Sequence, residues 1–292
     1  MRYSYYPGCS LHSTARDYDE STRAVFARLG VELQELNDWN CCGATAVASQ
    51  DSLLALSLPA RNLALAESAG KPLAVSCNAC YLALRRANQV LAENGPWARK
   101  VREALSGIGR EIRGPVEVRH TLDIVVNTAG LEKVRAGVSR SLRGLPVVPY
   151  YGCQIARPRH GSMHSENPVE LDRLLETLGA RVLRFDQKTR CCGGSLMTTK
   201  HEVAIELTER LLRESQLRGA KAIVVSCPLC QFNLDVFQGE VNRRFGTHYR
   251  LPVIYFTQAM GWAMGVGPVE LGLHRGFVSA DGLLSGLERE VV

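Results

Sequence analysis

Ten cysteines stand at positions 9, 41, 42, 77, 80, 153, 191, 192, 227 and 230. They form two sets of five. The steps are 32, 1, 35 and 3 through Cys9, Cys41, Cys42, Cys77 and Cys80, and 38, 1, 35 and 3 through Cys153, Cys191, Cys192, Cys227 and Cys230. Adjacent cysteines rarely bond to each other, because so short a ring strains the disulfide. Five is an odd number for disulfides, and the N-terminal stretch MRYSYYPGC lacks the apolar centre of a secretory signal. Ten inert buried thiols in register between two halves would be a coincidence. Structural zinc takes four ligands, often from CxxC half-sites. It would leave a fifth cysteine without a task, though zinc in one half stays open. Thiolates are the usual ligands of iron–sulfur clusters, but the compact CxxCxxC run of an ordinary cubane is absent. Five sulfurs including an adjacent pair point to an unusual cluster, in which one thiolate or more could bridge two irons. Gly43 and Gly193 would let the chain turn tightly past it.

The elements that must place these sulfurs repeat as well. YYPGCS at 5–10 matches PYYGCQ at 149–154, and LAVSCNACYLAL at 73–84 matches IVVSCPLCQFNL at 223–234. A Gly/Pro-marked junction, RGLPVVPY at 143–150, divides the chain into units 1–143 and 144–292. RYSYY, VELQEL, PLAVS and VEVRH read as strands of the first unit. LPVVPY, RVLRF, AIVVS and LPVIYF are their counterparts. Helical patterns lie between them. In NPVELDRLLETLGA, Asn167 is the expected N-cap, Pro168 lies in the first turn, Glu170 completes a capping box, and Gly179 closes the helix. KHEVAIELTERLLRESQLRG is a second helix. The fold class expected is α/β: two tandem pseudo-symmetric domains, each a small parallel sheet flanked by helices. Cys9 and Cys153 then follow first strands. Cys77 and Cys227 follow third strands, and Cys80 and Cys230 occupy the first turn of the next helix. Ligands of open parallel sheets gather at the carboxyl ends of strands, so five sulfurs meet at one rim of each domain.

The chain has 292 residues, 46% apolar and 22% charged, the profile of a soluble globular protein. No apolar run approaches the ~20 residues of a membrane span, so a cytoplasmic location is expected, with peripheral membrane attachment through a complex left open. The formal charge is 35 − 29 = +6. Basic residues cluster only briefly, which argues against a nucleic-acid partner. Ten metal-bound thiolates would offset much of that excess. GVGPVELG at 265–272 has dinucleotide-like glycine spacing without a preceding strand and is set aside.

The motifs YYPGCSLH, WNCCGAT, SCNACY, CCGG and CPLCQFNLD resemble those of the cysteine-rich CCG family, and within it the B subunits of heterodisulfide reductases. The match runs through Gly265. The resemblance implies two noncubane [4Fe-4S] clusters, one on each complete set of five cysteines. A disulfide or lipoyl/thiol sulfur substrate would be cleaved between them, or reversibly formed, in two one-electron steps. Metal capture of the thiolates would replace much of what an acid catalyst does. It further implies an iron–sulfur partner of the ferredoxin-like C-subunit type and a flavin-containing A-subunit-like partner. The alternatives are a CCG electron-transfer or anchor subunit of a succinate- or lactate-oxidising complex, or a zinc-stabilised scaffold without redox activity. No catalytic dyad stands out. His12, Arg157, Arg159, His160 and His164 are candidates for holding a substrate anion or donating a proton; the last four lie in the stretch QIARPRHGSMHSEN, which lengthens the first gap of the second set. The tail HRGFVSADGLLSGLEREVV reads as a docking element or a plain terminal helix.

Overall fold

The computed structural model describes residues 1–157 and 163–289. The first half runs β1 (Arg2–Tyr6), α1 (Arg16–Arg28), β2 (Glu32–Glu35), α2 (Ser52–Ala69), β3 (Leu73–Val75), α3 (Asn78–Glu93), α4 (Pro96–Ser106), β4 (Val118–His120) and α5 (Thr121–Asp123). A π-helical stretch, Ile124–Gly130, leads into α6 (Leu131–Gly137). The second half runs β5 (Pro146–Tyr150), α7 (Glu170–Thr177), β6 (Arg181–Val182), α8 (His201–Leu217), β7 (Ala222–Val225), α9 (Pro228–Val236), α10 (Gln238–Phe245), β8 (Val253–Tyr255), α11 (Phe256–Ala263) and α12 (Asp281–Arg289).

Each half builds one parallel four-stranded sheet, in the orders β2-β1-β3-β4 and β6-β5-β7-β8. The interior strands β3 and β7 are apolar and fully buried, as strands covered by helices on both faces must be. Register is the same in both sheets. Tyr6 pairs with Val75 and Val75 with His120, while Tyr150 pairs with Val225 and Val225 with Tyr255. Strand order reverses between β1 and β3, and between β5 and β7. Connections there leave in opposite directions and open a crevice at the carboxyl ends. Cys9 and Cys77 flank the first crevice; Cys153 and Cys227 flank the second.

The halves are locked through α1 and α11, which pack together. Tyr18 stacks on Tyr255 with ring centroids 4.0 Å apart and 2° between planes. The Ser21 and Thr257 hydroxyls share a 2.7 Å hydrogen bond. Arg28 donates to the Met264 carbonyl, and Gln258 Nε2 donates to Asp17 Oδ2 at 3.0 Å. The tail also folds onto its own chain. Asp235 accepts from the Phe277 and Val278 amides at 2.8 and 3.0 Å, and Leu284 is buried.

Two local expectations are corrected. Asn167 does not cap a helix: α7 begins at Glu170 with Val169 before it, and Glu170 bends back to accept from the Val169 amide at 3.0 Å. The orphan amides at this helix start are taken by a remote group, the Tyr151 hydroxyl, which accepts from Leu171 N at 2.7 Å and Asp172 N at 3.1 Å. The strand expected over RVLRF is cut to Arg181–Val182, because β6 is an edge strand whose side chains are largely outside the core. Gly179 closes α7 as expected, at φ +86°.

Asp17 tests the seam between the halves. Burial raises its carboxyl pKa to about 6. Between the ordinary carboxylate value of about 4 and this raised value, the native chain holds a proton that the unfolded chain releases, so stability falls as pH rises through that window. Asp17→Asn should therefore stabilise the protein by about 2 kcal/mol at pH 7, with the gain fading toward pH 4. Urea midpoints across that range check it.

Candidate metal centre

Each sulfur is held by a device that appears twice. Cys9 and Cys153 are preceded by Gly8 and Gly152, at φ +75° and +72°. A Cβ on Gly8 would lie 3.2 Å from Cys80 Sγ, and one on Gly152 only 2.9 Å from Cys230 Sγ. These glycines therefore serve both the turn and the close approach of sulfur to backbone. The Tyr6 hydroxyl donates to the Asn40 carbonyl at 2.9 Å, and the Tyr150 hydroxyl to the Arg190 carbonyl at 2.6 Å. Each carbonyl immediately precedes an adjacent-cysteine pair. Within the pairs, backbone amides aim at sulfur: Gly193 N at Cys191 Sγ (3.3 Å) and Gly194 N at Cys192 Sγ (3.4 Å), with Gly43 and Ala44 doing the same for Cys41 and Cys42. Cys77 and Cys227 are the N-caps of α3 and α9, and Cys80 and Cys230 sit in their first turns.

The sulfurs form a row of neighbours. In the first half the contacts run Cys9–Cys41 (3.8 Å), Cys41–Cys42, Cys42–Cys80 (3.2 Å) and Cys80–Cys77. In the second, Cys153 meets Cys191, Cys192 lies 3.6 Å from Cys230, and Cys230 meets Cys227. All five second-half sulfurs, with Asn78 from the first half, line one cavity of about 20 Å³. The two rows approach one another at Cys77 and Cys227, whose preceding carbonyls, Ser76 and Ser226, both lie within reach of the Tyr18 hydroxyl, and each of the two sulfurs acts on the other across the seam. All ten cysteines are free of disulfides.

Such crowding cannot carry ten like charges unaided. Hydrogen bonds from neighbouring sulfurs hold Cys41 and Cys227 down and bring Cys191 to about 6, whereas the partnership with an ionised neighbour pushes Cys9, Cys77, Cys153 and Cys230 up. Ionising every sulfur needs bound cationic charge, and binding it would release protons.

A polar knot sits behind the seam. The Tyr18 hydroxyl lies 3.1 Å from both the Ser76 and Ser226 carbonyls, the residues just before Cys77 and Cys227. His120 Nε2 lies 3.0 Å from the same Ser76 carbonyl, while its Nδ1 accepts from Leu122 N at 3.1 Å. That assigns the neutral Nε2–H tautomer, and burial lowers its pKa to about 4. Neither Tyr18 nor His120 belongs to a recognisable motif. The only sequence cue is that His120 ends a strand equivalent to the one ended by Tyr255.

The expected substrate residues are not gathered into one cluster. His12 is tied to Glu35 at 3.0 Å and packs edge-on against Trp39. His164 accepts from the Glu166 and Asn167 amides at 3.2 and 3.1 Å and shapes its own exposed loop. Arg157 is exposed, and its charge acts on Cys153 and Cys191. Arg159 and His160 lie outside the described residues.

Beside the first set lies a groove of about 450 Å³, lined among others by Gly43, Ala44, Ala79, Leu82, Trp97 and Gln154, with no cysteine in its lining. At the position matching Ala79 the second half has Leu229, whose Cγ lies 2.9 Å from where a Cβ on Gly194 would stand. Farther out, His201 pairs with Glu240 at 2.6 Å and Arg244 with Glu202, bridging α8 and α10.

The family model for the cysteine-rich domain matches residues 3–85 and 147–235, one match on each sheet and its sulfur row. The chain belongs to the cysteine-rich CCG family. Among its relatives, the 8-methylmenaquinol:fumarate reductase membrane anchor subunit of Wolinella succinogenes is 31% identical over 283 residues, covering 96% of this chain and 98% of the relative. The B subunit of the ferredoxin:CoB-CoM heterodisulfide reductase of Methanosarcina mazei is 31% identical over 94% of this chain and 93% of its own. A protein of Archaeoglobus profundus, named for its likeness to the heterodisulfide reductase B subunit, is 30% identical over 92% of each chain. A crystal structure of a hypothetical protein from Helicobacter pylori shares the fold with a TM-score of 0.75 at 15% identity, over 95% of this chain and 52% of that one. The family's doubled domain thus coincides with the doubled sulfur row. Among the described residues no helix is long and apolar enough to cross a membrane.

Tyr18→Phe isolates the knot. It keeps the stack on Tyr255 and removes the hydroxyl from two buried carbonyls, so it should cost about 1–3 kcal/mol in unfolding free energy, measured by urea denaturation.

Proposed function

We propose that this chain is the iron–sulfur subunit of a heterodisulfide reductase-like complex, reducing or reversibly forming a disulfide at two noncubane [4Fe-4S] clusters. The observation that carries the reading is the meeting of two complete five-sulfur rows at Cys77 and Cys227. Cys9, Cys41, Cys42, Cys77 and Cys80 would hold one cluster, and Cys153, Cys191, Cys192, Cys227 and Cys230 the other. The donor set fits such a group: every donor is sulfur, and glycine leaves room beside Cys80 and Cys230. When bound, the clusters would supply single electrons and Lewis-acid positions for sulfur.

The chain's own residues would do the rest. Backbone amides at Gly43, Ala44, Gly193 and Gly194 stabilise thiolate charge, and Tyr18 and His120 keep the two rows in contact. The groove beside Ala79 would be the route by which substrate approaches the first row. Electrons would come from a ferredoxin-type C-like subunit and a flavin-containing A-like subunit. The second reading, an electron-transfer or anchor subunit of a fumarate- or succinate-linked complex, is favoured by the relative from Wolinella succinogenes, matched over 98% of its length.

Anaerobically purified protein should contain about eight irons, with matching sulfide. Cys42→Ser and Cys192→Ser should each lose or convert one cluster; full iron in both variants contradicts the five-ligand assignment. A paramagnetic signal that appears with a thiol under oxidising conditions separates disulfide chemistry from plain electron transfer. Ala79→Leu, which copies Leu229, should lower viologen-driven disulfide reduction by roughly tenfold at unchanged iron content.

A further inference from the structure

Two spaces beside the sulfurs share one lining side chain. The groove of about 450 Å³ is lined by Gly43, Ala79 and Gln154 among others. Each of these three is next in sequence to a sulfur: Gly43 follows Cys42, Ala79 precedes Cys80, and Gln154 follows Cys153. The sulfur cavity of about 20 Å³ is lined by Gln154 as well, together with Cys153, Cys191, Cys192, Cys227 and Cys230. Gln154 therefore stands between a groove lined by no sulfur and a cavity lined by five. A molecule that moves from the one to the other meets its carboxamide.

Two carboxamides border the cavity, and only one is committed. Asn78 is buried. Its Nδ2 donates to the Tyr151 carbonyl at 2.6 Å, and its Oδ1 accepts from the Ser226 hydroxyl at 3.5 Å, so it braces the seam. Gln154 is half-buried, and among the described residues its side chain has no hydrogen-bond partner. A glutamine side chain offers two N–H donors and two acceptor lone pairs. Small-molecule sites are mostly apolar, with a few polar groups that fix the ligand's orientation. The groove has that character, with Ala44, Ala55, Ala79 and Ala83 along it and Gln154 beside the sulfurs.

We infer that Gln154 is the substrate-contacting gate of this site, its carboxamide holding a carboxylate or amide of the sulfur compound that enters along the groove. The inference rests on the disulfide reading above and adds to it the residue that selects the substrate. Because Gln154 follows Cys153 directly, the group it holds lies close to the reacting sulfur of the substrate.

Calorimetric titration of the anaerobic protein tests this after iron and sulfide have been counted. Two unreactive probes are used: adipate, the all-carbon counterpart of dithiodiglycolate, and hexamethylenediamine, the counterpart of cystamine. Adipate should bind the unmodified protein. Gln154→Glu should weaken adipate and strengthen hexamethylenediamine, each by roughly tenfold, since the new carboxylate repels one probe and pairs with the other. Gln154→Leu, similar in size but without polar atoms, should weaken adipate by roughly tenfold and leave hexamethylenediamine no tighter. Viologen-driven reduction of dithiodiglycolate and cystamine should follow the same order in kcat/KM. An iron-loaded protein that binds no adipate, or whose affinities for the two probes are the same in all three forms, overturns the inference alone. A loaded protein whose affinities shift as expected but that reduces neither disulfide overturns the disulfide reading and leaves the ligand contact standing. A protein that binds no iron and sulfide overturns the iron–sulfur reading and this inference with it.

Discussion

The structure turns on the approach of two N-capping cysteines, Cys77 and Cys227, across the seam that the Tyr18 hydroxyl bridges at Ser76 and Ser226. Two helix N-termini facing one another would repel unless something negative lay between them. Thiolate sulfur meets that need, and the array around it supplies eight more sulfurs in reach of one another. The rest of the fold can be read as the means of holding this contact: a crevice at each sheet's switch point, strands of matched register, and a seam of stacked tyrosines closed by α1 and α11.

Duplication explains most of the geometry around the sulfurs. Tyr6 and Tyr150 anchor the adjacent-cysteine loops in the same way, and Gly8 and Gly152 clear the same space beside a sulfur. By contrast, the residue after each capping cysteine's first neighbour differs, Ala79 in one half and Leu229 in the other, and Leu229 crowds Gly194.

The sulfur positions, the α/β class and the placement of cysteines after strands were legible in the sequence, because a doubled spacing and apolar strand runs are local signals. What was not legible is long-range. The start of α7 escapes a reading based on Asn167, since the hydroxyl that satisfies its amides belongs to Tyr151, some twenty residues earlier. His120 and Tyr18 draw no attention in one dimension, because their partners are distant in sequence: strand pairing brings the Ser76 carbonyl to His120, and the packing of one half on the other brings the Ser226 carbonyl to Tyr18. His12, chosen for its nearness to Cys9 in sequence, proves to be engaged with Glu35 and Trp39.

The central claim is that two five-sulfur rows hold metal on either side of one shared contact. Anomalous diffraction at the iron edge from crystals grown without oxygen tests it most directly. Two compact iron peaks flanking Cys77 and Cys227, each within bonding reach of its own five sulfurs, are the predicted result. A single peak, peaks at the zinc edge instead, or iron bound away from Cys9 and Cys153 would contradict it.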